Sequence, residues 1–432
     1  FMYGLDPNVL AHGQIVHTDI PFTAFFFIST YFFWRALERL TVLNLLLTAA
    51  FFALATITKY SYPLVVIVWT VLGFLKVFSA TPQPCGIGAT RTVSNRLGKA
   101  AVLGVIFLSA FLAAYLFTWA AYGFRFNAVA DGERPLSVVQ VLPENSMARA
   151  AASFLVQHRL LPEASIYGQL HLQKYFSRPA YLLGETSDHG FLSYFPIAFA
   201  VKTPLPTLLL FLAGIVAMGL LRKDRAAKLF LILPALVYFS FAVWSRMNIG
   251  LRHILPIYPF LFVFAGGAAV ELWRCQTRVR KGLVLLGVWF FWSSMSSYPH
   301  YLSFFNELAG GAENGHRVLI DSNLDWGQDL KGLKRWMESQ GVKKIQFLYF
   351  GLAYPEYYGI DAAYPPGSWV RYDPPATQSA EVPNYIVISA DLLYGTDIYV
   401  LEPEKQKEFV RKFRTKTPVA VIGHSLYVYR LN

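Results

Sequence analysis

The sequence predicts a polytopic α-helical membrane protein of about eight spans, followed by a small α/β extracytoplasmic domain. Three observations predict it. First, only 15% of the 432 residues are charged, against 55% hydrophobic and 16% aromatic, and the mean hydropathy is +0.40. A soluble domain carries about 25% charged residues, so this chain cannot clothe itself in polar surface. Second, eight apolar stretches each approach the length a bilayer requires. Third, the last 130 or so residues alternate strand-like and helix-like patterns. Two cysteines cannot form a disulfide framework, and no Cys/His spacing has the form of a zinc site.

A hydrocarbon core of roughly 30 Å needs about 20 mostly apolar residues as helix, and fewer where charged ends snorkel. The spans are read near 20–37, 41–58, 62–79, 100–121, 204–221, 229–244, 254–273 and 282–298, with Pro21, Pro63, Pro204 and Pro256 at or near their openings. No signal peptide is visible. The chain opens at Phe1 in a loop-like stretch through Asp6 and Pro7, and is read as lacking an upstream segment.

Orientation follows from the basic residues. If the first span runs inward, the connections 35–40, 76–99, 222–228 and 274–281 hold 14 Lys and Arg against Glu38 and Asp224. The formal charge of +12 is thereby topological, and nucleic acid is not expected as a partner. Cys85 and Cys275 fall on the same reducing, cytoplasmic side. Residues 1–298 then form the membrane domain, with an extracytoplasmic loop near 122–203 that is polar yet studded with interfacial aromatics. Residues 299–432 form the extracytoplasmic α/β domain. In that domain Arg317 to Asp321, Lys344 to Phe350, Asn384 to Ser389 and Val419 to Gly423 read as strands, and Asp329 to Gln340 and Pro403 to Lys416 as amphipathic helices. The expected address is a bacterial inner membrane, crossed several times.

The densest polar constellation is the run His12, His17, Thr18, Asp19, which ends as the first span begins. A carboxylate at a helix start stays ionised near the positive end of the dipole and can face both water and the membrane surface. Thr18 and Asp19 can equally be plain helix caps. Phosphate recognition needs fixed cations on the same side, and Lys59 with Tyr60, Lys202, Arg246, Arg252 and His253 supply candidates. Arg252, ahead of Pro256, is the best placed for bidentate contact at headgroup depth. The competing reading of these cations is snorkelling or contact with lipid headgroups. Downstream, Asn306, Glu307, Asp321 and Asp325 gather amides and carboxylates that suit a sugar or a hard cation, and Trp326 suits stacking on a sugar ring. An Asx-turn and a helix cap also account for Asp325 to Asp329. A divalent metal stays open on this reading, with no ligand set identified.

The His12 to Phe22 stretch resembles the second acidic outer-loop motif of the family 39 glycosyltransferases, the protein O-mannosyltransferase-like branch of the C-type membrane superfamily. Four further stretches resemble bacterial members: Thr56 to Ser61 around Lys59, Lys202 to Pro206, Ile249 to Pro259 around Arg252, and Tyr301 to Glu307 continuing through Asp325 to Asp329. The resemblance covers nearly the whole chain. It implies an integral membrane enzyme that moves a sugar from a polyprenyl-phosphate donor to a glycan, lipid or protein acceptor outside the cytoplasm, with inversion. It makes Asp19 the second acidic residue of the active centre, and places the first acidic motif in an earlier loop than any in this sequence. His17 departs from the Thr common in relatives. Two other readings compete: a secondary transporter, which would show repeated halves and mid-membrane charges, and a non-catalytic lipid-binding scaffold of the cell envelope.

Overall fold

The computed structural model describes residues 1–85, 91–129, 146–173, 178–220, 225–274, 276–365, 383–400 and 404–431. Two short helices, α1 (Met2–Leu5) and α2 (Pro7–Gly13), lead into α3 (Asp19–Glu38), α4 (Val42–Thr58) and α5 (Pro63–Phe78). A hairpin of β1 (Gln83–Cys85) and β2 (Arg91–Val93) precedes α6 (Arg96–Ala121). The long connection that follows holds α7 (Met147–Gln157), α8 (Glu163–Gln173), the hairpin β3 (Ala180–Leu182) and β4 (Glu185–Ser187), and α9 (Tyr194–Lys202). Then come α10 (Leu205–Leu220), α11 (Arg225–Ser245), a 3-10 turn over Leu251–Ile257, α12 (Tyr258–Trp273) and α13 (Thr277–Met295).

Three helical segments among the described residues are long and apolar enough to cross a membrane: Asp19–Glu38, Arg96–Ala121 and Leu251–Trp273. α9 and α10 make a fourth only if their 110° bend lies within one span. Val42–Thr58, Pro63–Phe78 and Leu229–Ser245 are apolar but shorter; the 17 residues of α4 extend about 25 Å. Only 22% of the apolar window of α6 is buried, and Leu108, Phe111, Leu112 and Leu116 lie exposed along it. An apolar face of that size calls for lipid rather than water.

The C-terminal part contains α14 (Leu330–Ser339), β5 (Lys344–Leu348), β6 (Asp361–Ala363), β7 (Tyr385–Ser389), α15 (Ala390–Tyr394), α16 (Thr396–Tyr399), α17 (Glu404–Arg411), β8 (Ala420–Ile422) and β9 (Leu426–Arg430). The strands form one mixed sheet in the order β6-β5-β7-β9-β8, with β5 parallel to both its neighbours and β9 antiparallel to β7 and β8. Alternation divides its faces. Ile386, Ile388, Tyr427 and Tyr429 join the core that runs on into the membrane helices, whereas Val387, Leu426 and Val428 pack with Leu330, Leu333 and Met337 of α14.

The expected strand from Arg317 to Asp321 is not one. Val318 and Leu319 donate back to the carbonyl of Gly315, and Asp321 takes φ +61, which ends any extended run. Leu319 and Ile320 are apolar because they plug the shared core. The helix expected over Pro403 to Lys416 ends at Arg411, after which residues 412–416 form turns, Pro403 lying outside the described residues, and β6 and β9 were not expected at all. Asp224 and Cys275 lie outside the described residues; Cys85 is a free thiol.

Candidate functional site

The first turn of α3, the last turn of α4 and the turn opening α12 meet at one end of the helices, where the C-terminal part covers them. Asp19, side chain 2% exposed, is the centre. One carboxylate oxygen accepts from Lys59 Nζ, and the other lies 3.3 Å from the Arg252 guanidinium and 3.0 Å from His17 Nδ1. Neither capping expectation describes these side chains: Thr18 makes no side-chain cap, and the Asp19 carboxylate is spent on cations. One carboxylate against two cations leaves the cluster with a net charge of +1.

Arg252 is held on three sides. Its Nε donates to Ser322 Oγ at 3.0 Å, its guanidinium lies 4.5 Å above the Trp326 ring, and its NH1 faces Asp19. Ser322 in turn donates to the Ile249 carbonyl, and Asn323 Oδ1 accepts from Leu251 N at 2.9 Å, so the 321–326 loop grips the turn that carries Arg252. Gly250 permits this grip: at φ +146, a Cβ there would sit 2.1 Å from Ser322 Oγ.

The imidazoles of His12 and His17 meet edge to face with centroids 5.2 Å apart, and both face Trp326. Burial, with the neighbouring His17 adding to it, brings the His12 pKa down to about 3, so this ring is neutral in ordinary buffers. His17 Nδ1 is within reach of two groups, the backbone N–H of Asp19 at 2.9 Å and the Asp19 carboxylate at 3.0 Å. Only one contact is a hydrogen bond at a time, because a nitrogen that carries a proton cannot accept another. With the proton on Nδ1 the carboxylate takes it, and Nε2 becomes the basic nitrogen. Among the described residues, His12 Nδ1, His17 Nε2 and His253 Nε2 are buried with no hydrogen-bond partner. Buried polar atoms are nearly always paired, so these three nitrogens keep hydrogen-bonding capacity beside the cluster.

A cavity of about 530 Å³ opens beside the cluster. Thr18, Lys59, Tyr60 and His253 line its polar end, and Leu64, Ile67, Phe195 and Phe241 its apolar remainder. A second cavity of about 460 Å³ lies across Lys59 and Tyr60, between α4, α6 and α8. Gly168 of α8 packs so closely on Tyr60 that a Cβ would fall 2.1 Å from its hydroxyl.

The structure therefore brings Asp19, His12, His17, Lys59, Arg252 and Trp326 together, with Tyr60 and His253 on the adjoining cavity wall. It separates the other expected contacts. Lys202 was expected to meet substrate; instead its buried Nζ donates to the carbonyls of Leu302 at 2.7 Å and Asn323 at 2.6 Å and lies over Phe305, which ties α9 to the C-terminal part. Asn306 likewise turns inward, and its amide donates to Ala200 and Thr203 carbonyls at 2.6 and 2.7 Å, satisfying the end of α9 where the chain bends. Glu307 is exposed at another cavity and accepts from Trp289 Nε1 at 2.8 Å. Arg246 is exposed.

Asp321 and Asp325 belong with Asp391 to a set of buried carboxyls beneath the 321–326 loop. Asp321 accepts from Tyr399 and from Ser322 N, its own N–H donates to Asp391 at 2.7 Å, and Asp325 closes an Asx-turn onto Gly327 N at 2.9 Å. Burial raises all three, Asp325 to about 8 with Asp329 adding to it, and like charges reinforce the rise at Asp391. Their hydrogen bonds build the loop. Among the described residues no group of three or more His, Cys, Asp or Glu is arranged to hold a metal ion. Asp329 makes no helix cap either; it accepts from Ser425 Oγ at 2.7 Å and pairs with His300 at 3.1 Å.

Sequence reasoning missed Ser322, Asn323, Asp391 and Tyr399. The first two stand between two residues that it did select, and their value lies in neighbours 70 or more positions away. Comparison with protein-family models, with curated proteins and with solved structures finds no match to this chain.

Proposed function

We propose that the chain is a membrane glycosyltransferase that moves a sugar from a polyprenyl-phosphate donor to an extracytoplasmic acceptor with inversion, as the family 39 resemblance implies. The observation that carries this reading is the pairing of a net-positive cluster with a cavity whose wall passes from Lys59 and His253 to Leu64, Ile67 and Phe241. A phosphate with a long apolar tail matches that sequence of surfaces. The proposal includes about eight spans in a bacterial inner membrane, with the cluster and the C-terminal sheet on the outer face and the 14 basic residues of the connections inside.

The acceptor hydroxyl oxygen forms a bond to the anomeric carbon as the bond from that carbon to the phosphate oxygen breaks. The electron pair departs with the polyprenyl phosphate, and the hydroxyl proton passes to His17 Nε2. Asp19 orients the ring through Nδ1 and stabilises the imidazolium, while Lys59 and Arg252 offset the charge that builds on the leaving phosphate. The net charge of +1 matches the single negative charge of a phosphodiester donor. Asp19 is accordingly a positioning residue.

A second reading, transport, is favoured by the 110° break between α9 and α10, since interrupted helices are where transporters hold their cargo. Here the break is filled by Lys202 and Asn306 contacts. The test uses proteoliposomes with radiolabelled polyprenyl-phosphate mannose and a second pentose-bearing donor. Label leaving the donor lipid for an acceptor, reduced at least 100-fold by R252A, supports transfer. Donor that crosses the bilayer chemically unchanged identifies a transporter, and donor that binds but is neither moved nor consumed identifies a scaffold.

A further inference from the structure

We infer that the second cavity, between α4, α6 and α8, binds the acceptor, and that the acceptor is a membrane amphiphile with an uncharged, hydroxyl-bearing headgroup such as a neutral glycolipid. The inference rests on the transferase reading and names the substrate that reading leaves open. The two cavities share Thr58, Lys59, Tyr60 and Gln169, so they are two approaches to one wall. A donor on one side and an acceptor on the other bring hydroxyl and leaving phosphate to opposite sides of the anomeric carbon, as inversion demands.

The lining chemistry selects the headgroup. Thr56, Thr58 and Thr118 donate their hydroxyl protons to helix carbonyls four residues earlier, at 3.0, 2.6 and 2.8 Å. Their oxygens keep lone pairs for donors that a ligand brings, and sugar or glycerol hydroxyls are such donors. Gln169 accepts from Tyr62 at 3.4 Å through its oxygen, which leaves its NH₂ to face a ligand oxygen. Among the described residues Lys59 is the one charged residue in this lining; it is paired with Asp19, and Arg252, the second cation of the net-positive cluster, is not part of the lining. An anionic headgroup therefore gains little here. Phe52, Phe111 and Tyr115 continue the wall along α4 and α6, where Phe111 and Tyr115 are partly exposed on the lipid-facing side. That opening admits an acyl chain from the bilayer and disfavours a folded protein acceptor.

The experiment photo-crosslinks a diazirine-bearing monohexosyl diacylglycerol to the full chain in nanodiscs. A phosphatidylglycerol carrying the same diazirine is the second arm. The expected result is labelling of α4 and α6 that falls at least tenfold in A121W, where the lining alanine is exposed, and in S165F. Phosphatidylglycerol labels these helices at least tenfold less, and polyprenyl phosphate does not compete. Equal labelling by both lipids would reduce the cavity to ordinary lipid contact. Full competition by polyprenyl phosphate would make the two cavities one donor site, and labelling unchanged in both variants would place the glycolipid elsewhere. Donor consumption, followed separately in the same nanodiscs, reports on the transferase reading: consumption without glycolipid labelling overturns only the acceptor assignment. Thermal unfolding of A121W and S165F within a few degrees of the parent excludes misfolding as the cause.

Discussion

Replacing Asp19 with Asn keeps its shape and removes its charge, and the geometry fixes what should follow. At 3.3 Å from Arg252, and with an effective dielectric of about 20, the Coulomb attraction is about 5 kcal/mol before desolvation. Taking one partner from a buried pair costs about 3–5 kcal/mol net, because the charge left behind stays uncompensated. Asn retains a carbonyl oxygen for Lys59, so D19N belongs at the low end, about 3 kcal/mol. K59M, by contrast, leaves Asp19 and Arg252 as a neutral pair and should cost less. The double variant D19N/K59M returns the cluster to the net charge of +1 and should recover about 1–3 kcal/mol of the summed losses. The assay is equilibrium unfolding in mixed micelles with graded denaturing detergent, for all four proteins. Binding of polyprenyl phosphate is measured alongside, and D19N should retain it, since two uncompensated cations still face the lipid. A D19N protein as stable as its parent, with a coupling to Lys59 below about 0.5 kcal/mol, would refute the view that this carboxylate exists to hold the cations.

Other variants separate the site from its supports. S322A removes the acceptor for Arg252 Nε; transfer should fall about tenfold while the unfolding midpoint moves little, as a donor-consumption assay will read. N306A strands the carbonyls of Ala200 and Thr203 and should cost about 1–3 kcal/mol of stability, with donor-lipid affinity unchanged in a flotation assay. Asp325 binds a proton up to about pH 8 when folded but only to about 3.9 when unfolded, so it withdraws about 1.4 kcal/mol of stability per unit as pH rises between those values. D325N should flatten that slope and gain on the parent between pH 5 and 8; superimposable denaturation curves across that range would contradict it. At Gly423, φ +60 and a Cβ position 2.1 Å from the Asp329 carboxylate make G423A strained, by about 1–3 kcal/mol from the backbone alone. Its unfolding midpoint should fall, with the His300 ring resonance shifting in step.

What could be read in the sequence was whatever is written locally. Apolar length and the basic connections announced the helices. Period-two runs announced β5, β7 and β8, and one short stretch placed His12, His17 and Asp19 together. The strand expected at Arg317 to Asp321 failed because its apolar residues answer to a core shared with the membrane helices, and no local pattern distinguishes a plug from a strand. Short apolar helices such as α4 fall between buried and spanning for the same reason: length alone does not say what covers them.

Charge gave a subtler confusion. Lys202, Arg252 and Lys59 all stand at helix ends next to apolar runs; the turn ahead of Pro256 singles out Arg252, but nothing in their immediate neighbours separates Lys202 from Lys59. The third dimension ranks them by partner. Lys202 meets backbone carbonyls, which fix it inside the structure as a strut, whereas Lys59 and Arg252 meet a carboxylate that lies beside a cavity. A carbonyl partner makes no demand for net charge, so the strut is complete in itself. A single carboxylate shared by two cations is not complete, and that surplus positive charge beside a largely apolar cavity is the feature on which the proposed lipid-phosphate site rests.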